Sequence, residues 1–94
     1  MKYIGKLWLK RSMRMTKIAE MLKLDDVKVL KSEDIVGTMD WEGVPIAVLL
    51  HLSWGDMDNA EKIRIFAHHL DENEEEDFWA LIEEKLNGVI KTQR

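Results

Sequence analysis

The first third of the chain mixes polar and apolar residues in a way that fits two kinds of element. Residues 2–9 hold aromatic and β-branched side chains, which favour a strand, and Gly5, which disfavours a helix. Five basic residues recur at intervals of four and three, which would also place them on one side of a helix: Lys2, Lys6, Lys10, Arg14 and Lys17. We predict a strand over about 2–9 and a helix over about 13–24, and the sequence leaves residues 1–11 open between strand, helix and disorder.

Two strand-like segments in the middle of the chain flank a turn. Segments 35–41 and 44–54 lie on either side of Glu42-Gly43, where glycine can supply a positive φ, so we predict a β-hairpin over about 35–54. Pro45 is tolerated near the start of an edge strand. The alternative is a helix with Pro45 in its first turn. The β-branched residues of the second segment favour the strand.

The C-terminal half has the pattern of two capped helices. Asp58-x-x-Glu61 is typical of a capping box and predicts a helix over about 58–70. Asn73-x-x-Glu76 is a second box and predicts a helix over about 74–87, which Asn87-Gly88 would end. The predicted fold is therefore α+β: a small antiparallel sheet with one hairpin, packed against one N-terminal and two C-terminal helices.

Length and composition place this fold in a single small domain, residues 1–94. The chain has no cysteine, which excludes disulfides, thiolate zinc sites and thiol nucleophiles. Its N-terminus lacks the apolar run of a signal peptide, and Val44–Leu50 is far shorter than the roughly 20 residues of a membrane span. We expect a soluble, cytoplasmic protein.

Charge is divided unevenly along the chain. Met1–Lys31 has nine Lys or Arg and three Asp or Glu, a net charge of +6, whereas Ser32–Arg94 has five bases and fifteen acids, a net charge of −10. The total of −4 hides this asymmetry. Such a division points to an acidic or basic partner, or to pairing between the two halves.

The basic N-terminal segment is the first candidate partner surface. It could bind nucleic-acid phosphates, with Tyr3 and Trp8 as stacking surfaces, or lie on an anionic membrane as an amphipathic helix. A solvated face that pairs with the acidic half explains the same residues without a partner, and the overall acidity opposes strong binding to nucleic acid. The candidate basic residues are Lys2, Lys6, Lys10, Arg11, Arg14 and Lys17.

The acidic run from Asp71 to Asp77 is the second candidate. It could imitate a phosphate backbone and inhibit a protein that binds nucleic acid. Carboxylates in the first turn of a helix are, however, favoured by the macrodipole and by the free N–H groups there. The predicted capping box lies inside the run, so the sequence favours capping over mimicry.

Three apolar side chains are candidates for contact with a partner: Trp8, Ile65 and Trp79. On the predicted helix 58–70, Ile65 would lie opposite the inward face and be bordered by charged and histidine side chains. We expect Trp79 to be only partly covered in so small a domain. Exposed apolar side chains ringed by charge are typical of interfaces, although a single exposed isoleucine is also ordinary.

The sequence shows no catalytic apparatus. It has no glycine-rich phosphate loop and no nucleophile with a plausible base beside it. His68 and Glu72 have the i, i+4 spacing of a chelating pair, but no third ligand stands at a telling position. We therefore expect no enzyme activity, no cofactor and no metal.

The function predicted first is a non-enzymatic protein-interaction or adaptor module that binds another protein or a second copy of itself. A small, cysteine-free, tryptophan-rich acidic chain is also typical of phage or mobile-element accessory proteins. The first alternative is a nucleic-acid-binding regulator that acts through the basic N-terminal segment. The second is an inhibitor that uses the acidic half as a nucleic-acid mimic.

Overall fold

Six strands form one antiparallel sheet in the part of the chain that the computed structural model describes, which is residues 1–11, 13–30, 34–53, 62–68 and 70–92. In chain order the elements are β1 (Lys2–Leu9), α1 (Met15–Met21), β2 (Asp25–Val29), β3 (Ile35–Trp41), β4 (Val44–Ser53), β5 (Lys62–Ala67), α2 (Glu72–Lys85) and β6 (Ile90–Thr92). The strand order is β2-β3-β4-β5-β1-β6, and each neighbouring pair is antiparallel. The radius of gyration is 12.5 Å, close to the value of about 12 Å expected for a compact chain of this length.

β3 and β4 form the hairpin predicted at Glu42-Gly43. Their pairing runs without a register shift along the whole of β3. Glu42 and Gly43 both have positive φ, 50° and 85°, which is the backbone that two-residue turns need to match the twist of a hairpin. The hairpin prediction is confirmed, and residues 44–53 are strand rather than helix.

One face of the sheet is buried against both helices. Ile18 of α1 and Phe78 and Ile82 of α2 join the inward side chains of the strands in a single apolar cluster. The buried strand residues include Leu7, Leu9, Ile35, Met39, Val48, Leu50, Ile63 and Ile65. Because side chains alternate along a strand, the outward residues of the same strands form a second face, which neither helix covers.

The side chain of Trp79 packs against β1 at Gly5. Its side chain is 1% exposed, and a Cβ built on Gly5 would lie only 2.6 Å from Cη2 of the indole ring. The register of β1 against β5 shifts between Tyr3 and Gly5, so the strand is irregular at this point. Gly5 therefore allows the largest buried side chain to approach the strand backbone closely.

A reciprocal capping box opens α2, two residues earlier than predicted. Asp71 is the N-cap, and its backbone N–H donates to Oε1 of Glu74 at 3.2 Å. The box therefore joins Asp71 and Glu74, and the assignment to Asn73-x-x-Glu76 is wrong. The helix ends at Lys85, and Gly88 follows with a φ of 95°. A glycine at positive φ is the common way to leave a helix, as predicted for Asn87-Gly88.

The corrected cap gives a direct test. We expect Asp71→Ala to lower the free energy of unfolding by about 1 kcal/mol, because it removes an acceptor for the first N–H groups of α2. Asn73→Ala is the matched control at the position first predicted to be the cap, and it should change stability by less than about 0.5 kcal/mol. Equilibrium urea unfolding of both variants measures the difference. Equal losses would mean that Asp71 does not cap the helix.

The predicted fold class is wrong, and the main error lies at residues 58–70. Residues 62–67 form β5, a strand between β4 and β1, instead of a helix; the proposed cap at Asp58-x-x-Glu61 lies outside the described residues. Lys62–Ala67 reads polar, Ile, polar, Ile, Phe, Ala, a period of two that is typical of a strand with one buried face. Pairing on both sides buries Ile63 and Ile65 together, which a helix could not do.

The N-terminal helix is also shorter than predicted. α1 covers Met15–Met21 rather than 13–24, because Lys23 has a φ of 57° and Asp25 already begins β2. The result is a six-stranded sheet with two helices, not a small sheet with three. Among the described residues, neither helix is long and apolar enough to cross a membrane.

Candidate functional site

The sheet face that neither helix covers carries three successive side-chain pairs between β1 and β5. In register these are Tyr3 opposite Phe66, Lys6 opposite Arg64 and Trp8 opposite Lys62. Directly opposed residues of antiparallel strands lie on the same face. We call these six residues the sheet-face patch: Tyr3, Lys6, Trp8, Lys62, Arg64 and Phe66.

Strand alternation explains why polar and aromatic residues meet here. On β5 the inward positions are Ile63, Ile65 and Ala67, so Lys62, Arg64 and Phe66 must point to the other face. On β1 the inward positions after the irregularity are Leu7 and Leu9, so Lys6 and Trp8 point outward. The burial of one face therefore fixes the chemistry of the other.

An aromatic pair lies at one end of the patch. The rings of Tyr3 and Phe66 meet edge to face, with centroids 5.5 Å apart and an interplanar angle of 61°. Tyr3 is 46% exposed, and Phe66 is partly buried. Phe66 is opposite Leu49 on β4, which is opposite Val36 on β3, so an apolar row crosses four strands. This row keeps an apolar surface in contact with solvent.

Trp8 lies at the other end, between two lysines. Nζ of Lys6 is 5.8 Å from the centroid of the indole ring, and Nζ of Lys62 is 5.3 Å from it. Both distances are within the range of a cation–π contact. The ring is only partly buried, so this end of the patch offers an aromatic surface flanked by positive charge.

A like-charge pair occupies the middle of the patch. Lys6 and Arg64 are both exposed and directly opposed, and neither forms an ion pair with an acid in the described part of the chain. The neighbour of Arg64 on β4 is His51, whose Nδ1 is 2.5 Å from Oδ1 of Asp34. That carboxylate is therefore held by His51, two strands away from Lys6. Opposed like charges destabilise a sheet, so their presence here calls for an explanation.

Acids and bases are separated in space as well as along the chain. β1, β5 and β6 contain five Lys or Arg and no Asp or Glu, whereas α2 alone contains seven acids. α2 packs on the buried face, so its carboxylates lie on the side of the molecule opposite the sheet-face patch. Among the described residues, the part of this sheet face on β1 and β5 is therefore basic, whereas the side of the molecule at α2 is acidic and holds Lys2 against Glu75.

The structure places the six predicted basic residues on different surfaces. Nζ of Lys2 lies 2.8 Å from Oε2 of Glu75, and this hydrogen bond raises the pKa of Lys2 above its ordinary value. Nζ of Lys17 lies 3.8 Å from Oε2 of Glu20 on α1. Lys10 and Arg11 follow β1, and Arg14 is the N-cap of α1. Of the six, only Lys6 belongs to the patch.

Two of the three predicted apolar contacts are not on the surface. Ile65 is 0% exposed and faces the core from β5, because it lies on a strand and not on the outer side of a helix. Trp79 is 1% exposed, because Gly5 lets it pack against β1. The exposure predicted for both residues is wrong. Trp8 alone lies on the open face, and its role in binding stays a prediction.

A second candidate is a cavity of about 510 Å³ between the end of α1, the β3–β4 turn and α2. Its lining combines apolar side chains with two bases and two acids: Leu22, Lys23, Met39, Asp40, Trp41, Glu42, Leu81 and Lys85. The buried indole N–H of Trp41 has no hydrogen-bond partner in the described region. The balanced charges select no ligand class, so this cavity is the weaker candidate.

His68 and Glu72 do not have the i, i+4 geometry of a helix, because His68 follows β5 and Glu72 is the first residue of α2.

Sequence reasoning found one strand of the site and missed the other. The sequence predicts Lys6 and Trp8 as candidates, whereas the helix that it predicts over about 58–70 contains Lys62, Arg64 and Phe66. The period-two alternation of Lys62–Ala67 is the signal that would have placed them on a strand face. Comparison of the chain with models of protein families, with curated proteins and with solved structures gives no match.

Proposed function

We propose that the protein is a non-enzymatic binding module that holds an anionic partner against the sheet-face patch. The observation that carries this proposal is the opposed pair of Lys6 and Arg64, exposed on an uncovered sheet face and without an acidic partner among the described residues. The patch offers cations and aromatic rings, and no nucleophile with a base beside it, so its chemistry is that of binding rather than catalysis.

The energetics of the pair favour an external anion. Like charges directly opposed on a sheet destabilise it. A phosphate or carboxylate placed between Lys6 and Arg64 would turn this repulsion into two favourable contacts, and Lys62 lies one pair further along the same strands. The same three cations would increase the rate of encounter with a polyanion.

The net charge of −4 repels an anionic partner less than it would if the acidic residues were spread evenly over the surface. Seven of the eighteen acids are on α2, behind the buried face of the sheet. At physiological ionic strength the Debye length is about 8 Å, so charges on the far side of the domain are largely screened.

The mimic hypothesis has less support. Glu74 takes part in the capping box, and Glu75 pairs with Lys2 of β1. Both carboxylates therefore have structural roles at the start of α2, in line with the preference for acids in a first helical turn. A homodimer formed through Ile65 or Trp79 also loses its basis, because both side chains are buried.

Retention on heparin tests the proposal. We expect the protein to bind heparin at low salt and the double variant Lys6→Gln/Arg64→Gln to elute at clearly lower salt, because two of three patch cations are removed. The matched control is Lys17→Gln/Lys23→Gln, which removes the same charge near α1, away from the patch. Equal shifts in the two double variants, or no retention of the native protein, would contradict a specific anion-binding face.

A further inference from the structure

We infer that the anionic partner is a single-stranded nucleic acid, a conclusion that rests on the proposed binding of anions at the sheet-face patch. The additional observation is that aromatic rings flank the central cations on both sides along the strands. Tyr3 and Phe66 lie on one side of Lys6 and Arg64, and Trp8 lies on the other. A ligand that lies along the strands therefore contacts the aromatic pair first, then the two central cations, and then the indole ring of Trp8.

Phosphates and bases are the two groups that this arrangement recognises together. Sequence-tolerant single-strand binders combine a positive track for the backbone with aromatic side chains on which bases stack. Tyr3 is the most exposed ring of the patch at 46%, and it meets Phe66 edge to face, so part of its surface is open to solvent. The ammonium groups of Lys6 and Lys62 lie over the ring of Trp8, so a base that takes the place of one of them on the ring would bring its phosphate close to both.

The shape of the surface favours a single strand over a duplex. Neither helix covers this face, and its aromatic rings gain stacking energy only from a partner that presents the faces of its own rings. A duplex keeps its bases stacked inside and offers mainly phosphates to a flat surface. An acidic polypeptide supplies carboxylates without planar bases. Its carboxylates would bind the cations, but it would have no base to stack on Tyr3 and Trp8.

The dimensions of the patch set its capacity. Lys62 and Phe66 are four residues apart on β5, which is about 13 Å at the rise of an extended strand. With an axial rise of about 3.4 Å per nucleotide in a stacked strand, this length spans at most about four nucleotides. Three cations, Lys6, Lys62 and Arg64, give an expected slope of about −2 for log K against log salt, since each phosphate contact on a single strand contributes about −0.7.

Fluorescence anisotropy with labelled oligothymidylate and oligouridylate tests the inference. The competitors are unlabelled single strand, a duplex of equal length, heparin and poly-glutamate. We expect the single strand to compete best, and Tyr3→Leu and Trp8→Leu each to weaken its binding about tenfold while retention on heparin is unchanged. Val44→Ala is the matched control, because Val44 is an exposed apolar residue at the β3–β4 turn, outside the patch, and it should leave binding unchanged. Circular dichroism checks that each variant is folded.

The outcomes separate this inference from the proposed function. If poly-glutamate or heparin competes as well as the single strand, or if the two leucine variants bind oligothymidylate normally, the partner is not a single-stranded nucleic acid, although anion binding at Lys6 and Arg64 stands. If the duplex competes best, the patch binds phosphates without stacking on bases, and the inference is wrong. If no polyanion binds the native protein at low salt, the proposed function and the inference both fail.

Discussion

We expect Ile65→Asp to destabilise the protein severely at neutral pH. Ile65 is fully buried on β5, so the introduced carboxyl would lie in the core without a partner, and we expect a loss of more than about 4 kcal/mol. A domain of this size has a total stability of only about 5–14 kcal/mol. Had residues 58–70 formed a helix with Ile65 outside, the same change would have been nearly neutral. Equilibrium urea unfolding followed by circular dichroism distinguishes the two structures.

The pH dependence of this variant provides an internal check. Burial raises the pKa of a carboxyl, so the folded state of Ile65→Asp would bind a proton more tightly than the unfolded state. The variant should therefore lose stability as pH rises above about 4, and regain part of it as pH falls toward that value. Ile65→Asn, which has the same size without the charge, should show no such trend. Arg64→Asp, one position away on the exposed face, should keep the fold at neutral pH.

The second large effect is expected where Gly5 meets Trp79. Gly5→Ala should lower the free energy of unfolding by about 1–3 kcal/mol, because the new methyl group would overlap the indole ring. Trp79→Phe removes the ring atoms that cause the overlap and opens space beside β1. The double variant Gly5→Ala/Trp79→Phe should therefore be more stable than the sum of the single changes predicts, by about 1 kcal/mol. Urea unfolding of the four proteins gives the coupling free energy.

Gly88 supplies the control for this cycle. It has a φ of 95°, and a Cβ at this position would meet no atom within 4 Å. Gly88→Ala should therefore destabilise through backbone strain alone, and its effect should add to that of Trp79→Phe without coupling. If Gly5→Ala and Trp79→Phe are equally additive, the close approach of the ring to Gly5 is not what fixes Trp79 in the core.

The two stability predictions bear on the binding face as well. Ile65 and Trp79 lie beneath the strands that carry the sheet-face patch, and their packing holds β1 and β5 in register. Tyr3 stays opposite Phe66, and Lys6 opposite Arg64, only while that register is kept. Loss of anion binding in a core variant would therefore report unfolding, whereas loss in a folded patch variant would report lost contacts.

Local signals in the sequence were sufficient for some elements. Glu42-Gly43 predicted the hairpin because the required positive φ depends on neighbouring residues only. Residues 2–9 predicted β1 from their aromatic and β-branched content. The acidic first turn and the glycine beyond the end predicted α2 with an error of two residues at each end, although the residue that caps it was wrong.

β5 could not be assigned by the same means. Lys62–Ala67 contains apolar residues that fit a helical face as well as a strand face, and an apparent capping box precedes it. Its strand conformation depends on hydrogen bonding to β4 and to β1, and β1 is about sixty residues away in the chain. Whether a short apolar segment of this kind forms a strand or a helix is decided by its tertiary pairing rather than by its intrinsic propensity.

The sequence by itself determined the hairpin, a C-terminal helix and an uneven distribution of charge, and it favoured a strand at β1 without excluding a helix. Only the tertiary structure decided that β1 pairs with β5, and this pairing brings Lys62, Arg64 and Phe66 beside Tyr3, Lys6 and Trp8. It also placed Lys6, Lys62 and Arg64 on the sheet face opposite the acids of α2, while Lys2 of β1 pairs with Glu75. The physical reason is that turns and caps depend on residues a few positions apart, whereas a sheet face is assembled from strands whose partners are chosen by burial of the opposite face.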